Sequence, residues 1–242
     1  MQAIIMAAGK GSRLGALTNG NPKSFVEIKG KKPIEYNLDM LNKYGVDEII
    51  IVTGYKDQAF EELTYKMKNV RLVYNPFYEM MNVLGSFFFG MEYLKDDFLY
   101  LHADTLCEKK IFDKLVNFDA DINLPVDYKP CDEEAMKIRT ENGRLVEISK
   151  SVDLKESEGE FIGIASIRKE VISLLKQKVK ELLREKQFMC YFEAAIQKLV
   201  DESDLDIRPF PVDNAFWAEI DFEEDYQRAC KNIPSSMLQG NQ

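Results

Sequence analysis

Four strand-like runs frame this chain. Residues 2–7 (QAIIMA), 48–53 (EIIIVT), 70–74 (VRLVY) and 98–104 (FLYLHAD) alternate with helical patterns through the first half. The first two runs are almost continuously apolar. A strand apolar on both faces has to be covered on both, which an open, mostly parallel sheet between two layers of helices provides. Residues 33–44 put Ile34, Leu38 and Leu41 on one helical face, with Pro33 at the start and Gly45 past the end. Residues 56–67 and 82–94 also suit helices. Right-handed crossovers then bring the C-terminal strand ends to one edge, where ligands bind in such sheets.

The second half changes character. Segments 121–127, 135–140, 144–149 and 160–167 read as short strands, and ENG at 141–143 as a hairpin turn. Helices are expected at about 168–186 and 190–200, strands near 206–212 and 216–220, and a last helix from about 222. No repeat, low-complexity stretch or linker divides the chain. The expected organisation is one α/β domain over 1–230, a small β-rich insertion at roughly 124–165, and a flexible tail at 231–242.

Composition removes several classes of function. With 45% hydrophobic and 30% charged residues, the 242-residue chain is neither a disordered tail, a collagen nor a coiled coil. A net charge of −9 argues against nucleic-acid or anionic-membrane partners. Cysteines at 107, 131, 190 and 230 form no C-x-x-C pair and the sole histidine is His102, so a structural zinc site is not expected. Free thiols fit a reducing compartment. No run of 18 apolar residues is present, and the N-terminus lacks the order of a signal peptide. The expected location is cytoplasmic.

Chemistry concentrates at the N-terminus. A buried strand runs into Ala7-Ala8-Gly9-Lys10-Gly11-Ser12-Arg13-Leu14, followed by Asn21-Pro22-Lys23. Gly9 and Gly11 let the backbone approach a ligand, and successive N–H groups can cradle phosphates. Arg13 and Lys23 add cations able to neutralise a triphosphate. The loop is neither a Walker A motif nor a dinucleotide fingerprint, because both signatures are incomplete.

AIIMAAGKGSRL…NPKSFVEIKGKKPIEYNLDML resembles the signature of the sugar-phosphate and small-phosphate nucleotidyltransferases. The resemblance continues through IIIVTGY at 49–55, Asn75, Asn82…Ser86, the Asp ending the 98–104 strand, MKI…NGRLVEISK at 136–150, GEFIGIASI at 159–167, YFEAAI at 191–196 and WAEIDFEEDYQRA at 217–229. It covers roughly residues 1–230. The later segments look most like CTP-dependent cytidylyltransferases for phosphocholine or a related phosphate or phosphonate. The implied fold is a Rossmann-like three-layer α/β/α sandwich, with the insertion on the acceptor side.

The resemblance implies attack by an acceptor phosphate or phosphonate oxygen on the α-phosphorus of CTP, with pyrophosphate leaving. Lys23 would contact the α-phosphate and the incoming phosphate, and Arg13 the leaving phosphates. Asp104 and Asp221 would carry Mg²⁺. Ala7, Ala8 and Gly9 would hold the base through backbone groups, Gly11 and Ser12 would complete the loop, and Asn82 and Ser86 would add contacts to base or ribose. Lys150 would face the acceptor phosphate. Tyr128, Tyr191 and Trp217, with Phe192, are aromatic candidates for holding a quaternary or primary ammonium, Asp127 or Glu193 supplying negative charge.

Alternatives remain open at several of these positions. Asp104 precedes CEKK and Asp221 precedes FEEDYQRA, so either could cap a helix, the latter with Glu224 completing a capping box. Asn82 and Ser86 could do turn and capping work, and the aromatics could be core. His102 carries no assigned role. Acceptors within reach are phosphocholine, 2-aminoethylphosphonate and an amino-acid-derived phosphate such as glutamine phosphate, giving a CDP-linked precursor of the kind used for capsule or cell surface. Rival readings are a sugar 1-phosphate thymidylyl- or uridylyltransferase and an inactive nucleotide-sensing subunit. The oligomeric state stays open, a homodimer included.

Overall fold

The computed structural model describes residues 1–117 and 119–238. The first half follows the alternation read from the sequence: β1 (Gln2–Ala7), α1 (Pro33–Lys43), β2 (Glu48–Thr53), α2 (Asp57–Thr64), β3 (Val70–Tyr74), α3 (Val83–Gly90) and β4 (Phe98–His102). These strands run parallel in the order β3-β2-β1-β4, with Ile4 paired to Ile50 on one side and Tyr100 on the other.

Alternation along each strand divides its side chains between two cores. Ile4, Met6, Ile50, Val52, Phe98 and Tyr100 face the layer that includes α3. Ala3, Ile5, Ile49, Ile51, Leu99 and Leu101 face the opposite layer, with Ile34 and Leu38 of α1 and Phe60 of α2. That is why the central runs, β1 and β2, are almost continuously apolar.

The second half contains β5 (Thr105–Cys107), α4 (Lys109–Asn117), β6 (Ile122–Asp127), β7 (Lys137–Glu141), β8 (Arg144–Ser149), β9 (Gly159–Phe161) and β10 (Ile164–Ile167). Then come α5 (Ile172–Arg184), α6 (Glu193–Glu202), β11 (Ile207–Pro211), β12 (Trp217–Glu219), α7 (Glu223–Asn232) and α8 (Ser235–Leu238). The main sheet continues from β4 as β10-β6-β9-β7-β8 through antiparallel pairs, while β11 joins β6 in parallel. The sheet is therefore mixed, with its parallel block at the N-terminal half. α5 and α6 share the layer of α3, and α4 joins α1 and α2 on the other face.

Three features differ from the sequence reading in detail. The segment 160–167 is two strands, β9 and β10, because at Ile162-Gly163 the chain exchanges β7 for β4 as a partner while pairing with β6 on both sides of the break. β4 ends at His102, so Asp104 lies in the turn to β5. Within the expected tail, α7 runs on to Asn232, and residues 235–238 form α8, with Met237 packed against the cluster around Leu14 and Ile233; residues 239–242 lie outside the described ones. Of the four cysteines, Cys107 is buried, and all four are free. Among the described residues no helix is long and apolar enough to cross a membrane.

A small antiparallel ribbon, β5 with β12, stands apart from the main sheet and pairs Glu219 with Thr105. It packs Leu106 and Ala218 into a third cluster with Leu14, Ile28, Ile220 and Ala229. This cluster joins the glycine-rich loop to the C-terminal helices.

Gly90 shows how tightly α3 lies on the sheet. A Cβ there would come within 2.5 Å of Val52 Cγ2 and 2.7 Å of Ile4 Cδ1. Gly90→Ala is expected to overpack this seam and cost about 1–3 kcal/mol. A lower urea midpoint at unchanged slope would show it; an unchanged midpoint would mean the helix shifts freely.

Candidate active site

A cavity of about 550 Å³ opens at the C-terminal edge of the parallel strands. Ala8, Gly9, Gly11, Ser12 and Arg13 form one wall, carried by the loop that leaves β1. The N–H of Tyr55 donates to the carbonyl of Ala8 (3.1 Å), tying this loop to the end of β2. Gly11 adopts the left-handed region (φ 65°), which turns the chain into a short 3₁₀ segment over Ser12–Thr18. No backbone hydrogen bond of the described residues uses the amides of Gly9, Lys10 or Gly11 as donors. A Cβ on Gly9 would find no atom within 4 Å. The loop thus presents bare backbone and donor groups to the cavity, as a phosphate cradle requires.

Lys23 reaches into the same space. Its ammonium contacts Asp104 Oδ2 and donates to Asp221 Oδ1 at 2.5 Å, joining residues far apart in sequence. Burial alone would lower the Lys23 ammonium, but Asp104, Asp221 and Glu219 outweigh it and raise it. Burial pushes the Asp104 carboxyl up, against the pull of Lys23. Arg13 lies 3.9 Å from Asp221 and 3.7 Å from Glu134, with its guanidinium 5.2 Å from the centre of the Phe222 ring.

The pairing of β5 with β12 explains this convergence. The N–H of Ile220 donates to the carbonyl of Asp104 (3.3 Å), which sets Asp221 beside Asp104. Neither aspartate caps a helix. Asp104 is followed by β5, and α4 begins only at Lys109. At α7 the capping carboxylate is Asp225, which accepts from the N–H groups of Phe222 (2.9 Å) and Asp221 (3.2 Å). Glu224 has no part in it, and the Asp221 side chain stays available.

His102 and Glu219, the last residues of β4 and β12, add a second pair, each two residues before an aspartate. His102 Nδ1 lies 3.2 Å from Glu219 Oε1, and Nε2 lies 3.0 Å from the Tyr100 hydroxyl. Burial would lower the His102 imidazole, yet Glu219 lifts it to about 9. The imidazolium in turn draws Glu219 below the usual carboxylate range despite its burial. His102, Asp104 and Glu219 each place one ligand-type atom within 4.8 Å of the others.

The far wall comes from the second half of the chain. Lys150, Tyr191, Glu193 and Trp217 all line the cavity, together with Lys129 and Glu160, which sequence reasoning missed. Lys150 lies 3.3 Å from Glu134 and 5.0 Å from the centre of the Tyr191 ring. Trp217 donates from Nε1 to Asp127 at 2.9 Å and carries Lys129 over its ring. Phe192 belongs to the core instead, stacked on Tyr100 at 3.9 Å.

Besides Phe192, three residues singled out in the sequence, Ala7, Asp127 and Tyr128, do not line the cavity. Ala7 is the last residue of β1, paired with Thr53, and its methyl joins the core under α1. Tyr128, just past the end of β6, is 45% exposed and does not line the cavity, and Asp127 is likewise outside its lining, accepting from Trp217 Nε1 instead. Asn82 and Ser86 both reach the cavity and both do local work. Asn82 caps α3 by accepting from the N–H of Val83 (2.8 Å), and Ser86 accepts from Asn75 Nδ2 (3.0 Å). Glu219 had a signal in the sequence, its i, i+2 relation to Asp221. Glu160 and Lys129 had none, since the fold of the insertion alone brings them in.

Over residues 3–129, slightly more than half its length, the chain matches the family described as the MobA-like NTP transferase domain. It is 28% identical over 250 residues to a CTP:phosphoglutamine cytidylyltransferase of Campylobacter jejuni, covering 94% of this chain and 98% of that protein. Its structure is similar to a CTP:phosphocholine cytidylyltransferase from Streptococcus pneumoniae (TM-score 0.81, 26% identity, 96% and 99% of the two chains). It is also similar to the inositol-1-phosphate CTP transferase from T. maritima (TM-score 0.77, 26% identity, 97% of each chain).

The two loop glycines make different demands. At Gly11 a Cβ would overlap the Lys23 stem and the backbone is left-handed, so Gly11→Ala is expected to cost about 1–3 kcal/mol. Gly9→Ala meets open space and should stay within about 0.5 kcal/mol of wild type. Thermal melting of the two variants side by side checks this; equal midpoints would show that Lys23 is not wedged against the loop.

Proposed function

The chain belongs to the MobA-like NTP transferase domain family, and from that membership we propose that it transfers CMP from CTP to a small phosphorylated acceptor, releasing pyrophosphate. The observation that carries the reading is the convergence of Lys23, Asp104 and Asp221 beside a loop of unpartnered backbone donors. Such a site suits chemistry that needs positioning and charge neutralisation rather than a covalent intermediate. Full-length similarity to CTP-using relatives supports cytosine over other bases.

In this reading the loop from Ala8 to Ser12 holds the nucleotide, with Asn82 and Ser86 across the cavity. Lys23 neutralises charge on the α-phosphate while an acceptor oxygen bonds to phosphorus and the bond to the β-phosphate oxygen breaks. Arg13 steadies the departing pyrophosphate. Lys150 stands where an acceptor phosphate would need a cation. We place the reaction in the cytoplasm, in keeping with four free thiols, and its product among activated building blocks for capsule or other surface polymers.

The carboxylates fit a divalent cation. Asp104 and Asp221 already converge on one positive group, the Lys23 ammonium, and both offer the oxygen ligands that Mg²⁺ prefers. His102 is a poor third ligand, because both of its ring nitrogens are already engaged, by Glu219 and by the Tyr100 hydroxyl. A bound Mg²⁺ would supply Lewis-acid stabilisation of the phosphates. Lys23 would then leave its carboxylate partners for the nucleotide.

The decisive assay is pyrophosphate release from each of the four NTPs against phosphorylated amines, sugars and amino acids. Turnover is expected with CTP, and Lys23→Ala should lower it by about 10³-fold or more. Activity with UTP or dTTP on a hexose 1-phosphate, and none with CTP, would overturn the reading.

Lys23→Ala also tests the metal without catalysis. Removing the ammonium leaves two carboxylates facing each other, so the variant should melt below wild type in EDTA. Added Mg²⁺ should raise its midpoint more than that of wild type. Equal Mg²⁺ responses would mean the two aspartates do not share a cation.

A further inference from the structure

We propose that Lys137 is a positioning residue for the transfer: its buried ammonium holds the segment 132–136 against the cavity and, through Glu134, sets the places of Arg13 and Lys150. The proposal deepens the cytidylyltransferase reading and rests on it for the roles of those two cations.

Lys137 opens β7, opposite Ser149 of β8 on one side and Glu160 of β9 on the other, and is 1% exposed. Glu160 is paired with Lys129, and no ion pair of the described residues includes Lys137. Its ammonium donates instead to three main-chain carbonyls, those of Asp132 (3.3 Å), Glu133 (3.4 Å) and Ala135 (3.4 Å). Burying an ammonium without a counter-ion is costly, and an apolar side chain would fill a place between two strands without that cost. The next residue, Ile138, is fully buried in that way. What the lysine adds is a hold on three acceptors from one short segment.

The segment is also closed on itself. Asp132 Oδ1 accepts from the N–H groups of Glu134 and Ala135, at 3.0 Å each. Its carbonyls are thus given to Lys137, while Asp132, Glu134, Ala135 and Met136 line the cavity. Glu134 is the carboxylate that the nucleotide side and the acceptor side share. Its Oε2 lies 3.3 Å from the Lys150 ammonium and 3.7 Å from the Arg13 guanidinium. The Glu134 side chain is 61% exposed, and exposed ion pairs hold long side chains only weakly. On a loose loop it would not keep two cations in register; on a backbone fixed by a buried ammonium it does. Register matters here, because displacing a positioning group by about 1 Å can cost a transfer about 10²-fold.

The test compares the full chain as wild type, Lys137→Met, Glu134→Gln and the double variant. Hydrogen exchange is read first, without ligands. Lys137→Met should exchange the amides of Glu134 and Ala135 about tenfold faster or more, with those of Ile4 and Ile5 in β1 unchanged, which a general loss of stability would move. Kinetics follow, with CTP, Mg²⁺ and the acceptor that wild type uses fastest in the pyrophosphate-release screen. Lys137→Met should lower kcat/KM for the acceptor by about tenfold or more, yet cost little further once Glu134→Gln is in place, because the two residues act through one another. Unchanged exchange at Glu134 and Ala135 overturns the proposal, as does a kinetic loss that is the same with and without Glu134→Gln. Should Lys137→Met not fold, Lys137→Gln, which removes the charge and shortens the reach, is judged by the same criteria. If wild type turns over no acceptor, the transferase reading falls and hydrogen exchange alone decides: protection lost at Glu134 and Ala135 upholds the hold of Lys137 on the segment, and protection kept overturns it.

Discussion

The structure is organised around one ammonium held by two carboxylates far apart in the sequence. Lys23 follows the glycine-rich loop, Asp104 follows β4, and Asp221 follows β12. Nothing local brings them together. The β5–β12 ribbon does so, because its register places Glu219 opposite Thr105 and Ile220 against the carbonyl of Asp104. The ribbon is held by the cluster of Leu106, Ala218 and Ile220 with Leu14 and Ala229. The chemical centre is therefore supported by a hydrophobic patch that also anchors the loop expected to bind phosphate.

That arrangement reconciles the overall charge with an anionic ligand. The chain carries −9, yet Lys10, Arg13 and Lys23 fall within fourteen residues. In the folded protein these cations do not form an open basic patch. Lys23 is neutralised by its aspartates, Arg13 is shared between Glu134 and Asp221, and Lys10 rests over Tyr55. A highly charged ligand with its own metal can take over these cations by replacing their acidic partners.

The fold was legible where the signal was periodic. β2, β3 and β8 run over the residues their patterns predict, because a strand buried on both faces leaves few other readings of EIIIVT. Long-range geometry was legible only through resemblance. Asp221 reads equally well as a cap in FEEDYQRA, and only the position of Asp225 in the folded chain removes that option. Tyr128 failed for another reason: it falls in the irregular segment just past β6, where no strand or helix period says which way a side chain points. Glu160 and Lys129 could not have been chosen from sequence, since their ion pair joins β9 to the segment after β6.

The division of labour along the chain follows from the same geometry. Gly9, Gly11, Arg13, Lys23 and Asp104 all lie inside the family match over residues 3–129, on or just after the parallel strands. Their positions follow from a sheet edge that many different acceptors can share. Lys150, Tyr191, Glu193 and Trp217 lie beyond it, on the antiparallel extension, the start of α6 and β12. These elements pack against the first half chiefly through core residues such as Phe192 on Tyr100, so the neighbouring wall positions Tyr191 and Glu193 can change without disturbing the core. Relatives with similar folds act on phosphoglutamine, phosphocholine and inositol 1-phosphate. A nucleotide edge fixed by sheet topology beside an acceptor wall free to vary is the physical arrangement that permits such a range.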